Sequence, residues 1–226
     1  EDYANVFQLS DGLLAIVCDG IGGNRAGNVA SKIAGESIYN YFQSNNSDNY
    51  SQKIVEGIKS ANNNILNFSK QSKDLKGMAT TIVTMFIVNG NAYWGHVGDS
   101  RIYFFLGNEL LQITKDHSIV QRLLDQGIIN KQQAENHPLR NIIVRAIGEK
   151  PDVEVDNEIV FFDEKSNWKF FLCSDGVSNF VSHDELKKYL VGDDLNRISE
   201  DLNLLIEERG SPDNYSYVII GNKSQL

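Results

Sequence analysis

Two hydrophobic rhythms alternate along the chain. Residues 13–18, Leu-Leu-Ala-Ile-Val-Cys, are continuously apolar, the pattern of a strand covered on both faces. From Asn28 the spacing turns helical, with Val29, Ile33, Ile38, Tyr41 and Phe42 in step. A polar stretch over 44–49 precedes a second helix carrying Ile54, Ile58, Ala61, Ile65 and Phe68 on one face. Strands then dominate. The run 80–88 turns at Asn89-Gly90-Asn91 into 92–100, and 101–105 turns at Gly107-Asn108 into 109–114. A mixed region over 115–149 has a short helix predicted at 119–125. A strand follows at 168–173, then Ser182-x-x-Glu185 as a capping box opening a helix. A last amphipathic helix with Leu195, Ile198, Leu202, Leu205 and Ile206 stops at Gly210, and 215–220 closes the chain as a strand. Hairpin-linked strands interrupted by helical blocks predict an α+β fold with antiparallel sheets.

Composition narrows the function. At 226 residues and 41% apolar, the chain suits one well-cored domain, residues 1–226. A formal charge of −9 argues against a nucleic-acid partner, which calls for clustered Lys and Arg. It also favours a monomer, and no run is long enough to span a bilayer. Cys18 and Cys173 alone make neither a disulfide framework nor a zinc site, so both read as buried reduced thiols in a cytoplasmic protein.

Acids interrupt the apolar strands at four places: Asp19 in VCDG, Asp99 in HVGDSR, Asp175 in LCSDG and Asp213 in SPDNYSYV. Each alone reads as a turn residue, because Asp-Gly and its relatives are common turn chemistry. Four together point to a hard divalent cation, since grouped carboxylates repel one another unless a cation or proton intervenes. Their convergence in space is a property that spacing does not carry. The glycine loop after Asp19 fits neither nucleotide motif: Arg25 stands where a dinucleotide loop needs its last glycine, and Asn28-Val29 follow Gly27 where a phosphate loop needs Lys-Ser/Thr.

Eight segments in order then carry a resemblance. They are EDYA (1–4), VCDGIGGNRAGNVAS (17–31), GMATT (77–81), HVGDSRIY (96–103), ITKDHSIV (113–120), HPLRNIIVRAIG (137–148), LCSDG (172–176) and GSPDNYSYVII (210–220). The chain resembles the metal-dependent protein serine/threonine phosphatases, protein phosphatase type 2C, of the compact bacterial kind. The resemblance implies a four-layer α-β-β-α sandwich of two antiparallel sheets flanked by helices. It implies two core Mn²⁺ or Mg²⁺ ions and a weaker third. Asp19, Asp175 and Asp213 would hold the first ion. Asp19, the Gly20 carbonyl and Glu1, largely through water, would hold the second. Asp99 and Asp175 would hold the third. The expected activity is hydrolysis of phosphoserine and phosphothreonine in proteins by a metal-bridging hydroxide, opposing bacterial kinases.

The same resemblance assigns 115–149 to a flap beside the site, with His117 organising its base. It gives no histidine a catalytic role: Ile21 stands where some eukaryotic members have one. The family's phosphate-clamping arginine is expected upstream of Glu1, on an N-terminal strand truncated here, with Arg25 the first substitute to test. A non-catalytic binding module and a metal nuclease are the alternatives; the four retained aspartates disfavour the first and the charge disfavours the second.

Overall fold

A computed structural model describes residues 1–211 and 213–222, with Asn24 and Arg25 as backbone only. Strand β1 (Tyr3–Gln8) pairs with β2 (Leu13–Cys18). After the two-residue β3 (Gly20–Ile21), helices α1 (Asn24–Ser44) and α2 (Tyr50–Ser69) follow. Next come β4 (Ala79–Thr80), β5 (Ile82–Val88), β6 (Asn91–Val97), β7 (Arg101–Leu106) and β8 (Glu109–Gln112). The short helices α3 (Ile119–Asp125) and α4 (Lys131–Glu135) lead to β9 (Asp156–Phe161) and β10 (Trp168–Cys173). The chain ends with α5 (Asp175–Ser178), α6 (His183–Leu190), α7 (Leu195–Glu208) and β11 (Tyr217–Gly221).

Two antiparallel sheets, β1-β2-β5-β6-β9 and β11-β10-β7-β8, stack face to face, with the small pair β3-β4 at one end. The alternation of β2 explains its unbroken apolar sequence. Leu14, Ile16 and Cys18 pack towards α1 and α2, whereas Ala15 and Val17 pack between the sheets with Val83, Met85, Phe170 and Leu172. On the outer face of the second sheet, Phe105, Phe171 and Cys173 meet Leu186, Ile198, Leu202 and Ile206 of α6 and α7. Helix, sheet, sheet and helix form the four layers expected. The hairpin turn is the two-residue loop Asn89-Gly90, at φ 48° and 71°, with Val88 opposite Asn91. Ser182 and Glu185 form the capping box at the start of α6.

Several elements differ from expectation. Helix α1 begins at Asn24, four residues early, because Gly22 and Gly23 at φ 121° and 81° turn the chain sharply out of β3. Strands β1 and β9 were not legible: both are sheet edges with mixed, half-exposed sequences, so pairing rather than hydrophobic alternation defines them. Helix α4 was also not anticipated, and Phe68 on the apolar face of α2 is 37% exposed. The segment between β8 and β9 closes on itself at its base, where Ile119 donates to Ile142 O at 2.9 Å and Val144 to His117 O at 2.8 Å. Among the described residues, no helix is long and apolar enough to cross a membrane.

Candidate metal centre

The site lies where β2, β10 and the approach to β11 end. Asp19 leaves β2 with its backbone clamped. Its amide donates to Thr81 Oγ1 at 3.0 Å, and its carbonyl accepts from Thr80 Oγ1 at 2.7 Å and from Thr81 N at 2.9 Å. Gly20 follows in a space only glycine fills: a Cβ there would stand 2.2 Å from Gly27 O. A Cβ on Gly27 would in turn stand 2.3 Å from Glu1 Oε2, so the Glu1 carboxylate lies against the paired glycine backbones. Ser31 Oγ donates to Glu1 O at 2.6 Å and keeps this first residue on α1.

Asp175 arrives from the other sheet. Instead of forming an Asp-Gly turn, it opens the helical turn α5, and Asn179 Nδ2 donates to its Oδ2 at 3.2 Å. Gly176 packs so tightly that a Cβ would meet Asn214 O at 2.0 Å, which brings the residue after Asp213 beside this turn. Ser174 and Ser216 lock the two strands, with Ser174 N donating to Ser216 O at 2.9 Å and Ser216 N to Ser174 Oγ at 3.0 Å.

The carboxylates act on one another electrostatically: Asp175 and Asp99 raise Asp19, and Asp213 raises Asp175. Burial, then the charges of Asp2 and Asp175, hold the Asp19 carboxyl far above the usual carboxylate range. Asp175 is raised chiefly by burial, with the charges of Asp213 and Asp2 adding to the rise. Asp99 is 8% exposed, and burial with the Asp175 charge pushes it up to about 7. Arg101 opposes that rise, but its guanidinium is committed to Asp116, with Nε to Oδ1 at 2.9 Å and Nη2 to Oδ2 at 2.7 Å. Carboxylates so placed fit divalent cations, which satisfy by charge what protons otherwise must.

Asp2 is the residue that sequence reasoning missed. Its Oδ2 accepts from Ser174 Oγ at 2.7 Å, and its Oδ1 is buried without a hydrogen-bond partner. The signal was the Glu1-Asp2 pair, of which only Glu1 was assigned. Thr80 and Thr81, which hold the Asp19 backbone, were read as strand residues and as part of the GMATT segment, with no role at the site. The side chain of Arg25 and residue Pro212 lie outside the described residues.

A second cluster was also unforeseen. Among the described residues, His96, His117 and Asp156 are the only trio whose ligand-type atoms all lie within 4.8 Å of one another. Hydrogen bonding argues against a metal there. Gly98 N donates to His117 Nδ1 at 3.0 Å, which leaves the ring proton on Nε2, 3.2 Å from Asp156 Oδ2. The Arg145 guanidinium sits on the same carboxylate at 3.0 Å and bonds Glu154 at 2.6 Å. His96, fully buried and stacked on His117, fills the core as the sequence suggested, although neither ring nitrogen has a partner. The cluster ties both ends of the α3–α4 segment to β6 and β9.

Comparison with known proteins agrees with this architecture. A family model described as Protein phosphatase 2C matches residues 1–201. The serine/threonine phosphatase stp of Listeria monocytogenes serotype 4b (strain F2365) is 36% identical over 198 residues, 84% of this chain and 77% of that protein. The crystal structure of the Mycobacterium tuberculosis serine/threonine phosphatase PstP/Ppp superposes with a TM-score of 0.88 at 27% identity, over 100% of this chain and 98% of that one. The catalytic domain of PstP, solved in complex with 2 manganese ions, superposes with a TM-score of 0.84 at 26% identity, covering 98% and 96%.

Proposed function

This chain belongs to the protein phosphatase 2C family and is a protein serine/threonine phosphatase, and from that premise we propose how its residues perform the reaction. Its substrates are phosphorylated proteins, and it removes the phosphoryl groups that serine/threonine kinases attach. The cofactor is Mn²⁺ or Mg²⁺. Asp19, Asp175 and Asp213 would hold the first ion; Asp19, the Gly20 carbonyl and Glu1 would hold the second; Asp99 and Asp175 would hold a third. When bound, such ions lower the pKa of water to give hydroxide near neutral pH and offset the charge of the phosphoryl oxygens.

The protein's own contribution is placement. Thr80 and Thr81 fix Asp19 through its backbone, so its carboxylate does not depend on a flexible loop. The Gly20–Gly27 contact presents the Gly20 carbonyl beside the Glu1 carboxylate. Asp2 and Ser174 stand behind them, and Asp2 Oδ1 is positioned to accept from water in the site. Neither buried thiol has a role as nucleophile: Cys18 and Cys173 are fully enclosed, and burial raises both thiols. The segment 115–149 acts as a flap whose base is pinned by His117, Arg145 and Asp156.

What carries this reading is the placement of Asp19 and Asp175 at the ends of strands from different sheets, each raised by burial and by the charge of neighbouring carboxylates. Hydrolysis of a phosphothreonine peptide with Mn²⁺, with chelator and with Asp19→Ala tests it. Turnover requires both the ion and Asp19; turnover in chelator would exclude the mechanism.

A further inference from the structure

Asp99 stands outside the strands. β6 ends at Val97 and β7 begins at Arg101, so residues 98–100 join the two without belonging to either. The Asp99 side chain is nonetheless buried, and the charge of Asp175 acts on it. Like charges favour separation, so an acid kept in that place calls for a restraint on its backbone.

The restraint lies on both sides of Asp99. Gly98 N donates to His117 Nδ1 at 3.0 Å, and His117 N donates to Gly98 O at 2.7 Å. That carbonyl belongs to the planar peptide unit whose nitrogen is that of Asp99, so the second bond fixes the plane from which Asp99 departs. Gly98 lies at φ 122° against Thr81, where a Cβ would stand 2.5 Å from Thr81 Cβ. On the other side, the hydroxyls of Ser100 and Thr81 share a hydrogen bond at 2.7 Å. His117 is itself held firmly. It is buried, stacked on His96 with ring centroids 4.5 Å apart, and its Nε2 lies 3.2 Å from Asp156 Oδ2. One ring therefore serves two partners, Nδ1 towards the approach to Asp99 and Nε2 towards the base of the segment 115–149.

We propose that His117 is a positioning residue for the metal centre, setting Asp99 through Gly98 in the orientation in which it would hold the third ion. The proposal rests on the assignment of Asp99 to that ion, and it gives His117 a role separate from pinning the flap, carried by the other ring nitrogen. Groups that orient a metal ligand from behind change affinity by about 10–100-fold when removed. Asp19 is clamped by Thr80 and Thr81 rather than by His117, so the effect should be confined to the weakest ion.

Calorimetric Mn²⁺ titration of the full chain tests this, with Asp99→Ala, His117→Ala, His117→Asn and His117→Gln beside the unchanged protein. Asn offers an acceptor near the Nδ1 position and nothing at Nε2; Gln reaches the Nε2 position and leaves Gly98 N without its acceptor. Asp99→Ala is expected to abolish the weakest binding event. His117→Ala should weaken that event about tenfold or more and leave the tighter ones unchanged; His117→Asn should restore most of the loss, and His117→Gln should not. Should His117→Ala fail to fold, the Asn and Gln pair decides. Full weak-ion affinity in His117→Ala, or rescue by Gln with or without Asn, would overturn the proposal. Failure of both Asn and Gln to restore the event would reduce His117 to a structural part of the flap base, and would overturn it equally. A weak event that survives Asp99→Ala would instead defeat the third-ion assignment itself, and the proposal with it.

Discussion

The hydroxyl of Ser174 donates to Oδ2 of Asp2 at 2.7 Å, across 172 positions of chain, and leaves Asp2 Oδ1 buried with no partner. An oxygen in that state is satisfied by a cation or by water. Asp2→Asn, which keeps the shape and removes the charge, is expected to weaken Mn²⁺ binding by about tenfold. Ser174→Ala should weaken it less, because the carboxylate remains. Calorimetric titration of both proteins checks this, and unchanged affinity in Asp2→Asn would remove Asp2 from the metal centre.

Asp19 and Asp175 are electrostatically coupled, and Asp99 interacts with both. Each of the first two is assigned to two ions. Asp19→Ala and Asp175→Ala should therefore lose several kcal/mol of transition-state stabilisation, on the order of a thousandfold in kcat, and Asp99→Ala far less. The measurement is turnover of a phosphothreonine peptide at saturating Mn²⁺. Near-normal kcat for Asp19→Ala would defeat the assignment.

Gly20→Ala tests the backbone rather than a side chain. The added Cβ would lie 2.2 Å from Gly27 O and 2.8 Å from Glu1 O, neither of which is a flexible side-chain tip. Overpacking of this kind costs about 1–3 kcal/mol, and here the relaxation displaces a carbonyl assigned to the second ion. The variant should show a lowered melting temperature and a raised Mn²⁺ requirement together. A lower melting temperature with normal Mn²⁺ dependence would mean that the carbonyl is not a ligand.

Metal-free protein should be destabilised as pH rises from about 6.5 to 8. Burial and neighbouring charge raise Asp19 and Asp175, and Asp99 to about 7, so the folded chain holds protons that the unfolded chain, with ordinary carboxyls, has released. His96, lowered to about 3 by burial, and His117, lowered by the same cause, contribute with the opposite sign, most strongly below about pH 6.5 and fading above it. Glu185, held at about 2 by Arg209, acts only in acid. Between pH 6.5 and 8 the histidine contribution fades as the unfolded imidazoles lose their protons, and the raised carboxylates set the sign. Saturating Mg²⁺ should flatten it and raise stability, since bound cations replace the protons. Thermal melts with chelator and with Mg²⁺ across this range check the sign; a chelated protein that gains stability towards pH 8 would contradict it.

Local sequence determined a great deal. The apolar run Leu13–Cys18, the Asn89-Gly90 turn, the face of α2 and the Ser182–Glu185 cap are decided within a few residues, by side-chain periodicity and backbone preference. The aspartates at strand ends were visible for the same reason: an acid ending an apolar run is a local event. What only the tertiary structure decided depends on partners far away in the chain. The edge strands β1 and β9 owe their form to pairing with Leu13–Cys18 and Asn91–Val97, because their own side chains are too mixed to declare a buried face. Asp175 is distinguished from an ordinary Asp-Gly turn by Asn214 packed 2.0 Å from the Cβ position of Gly176, and Asp2 from a surface acid by Ser174. The union of His117, Arg145 and Asp156 likewise joins residues from a loop, a segment end and an edge strand. Periodicity records which face of an element is buried; it carries no record of which other element will lie against that face, and convergence of charge is set there.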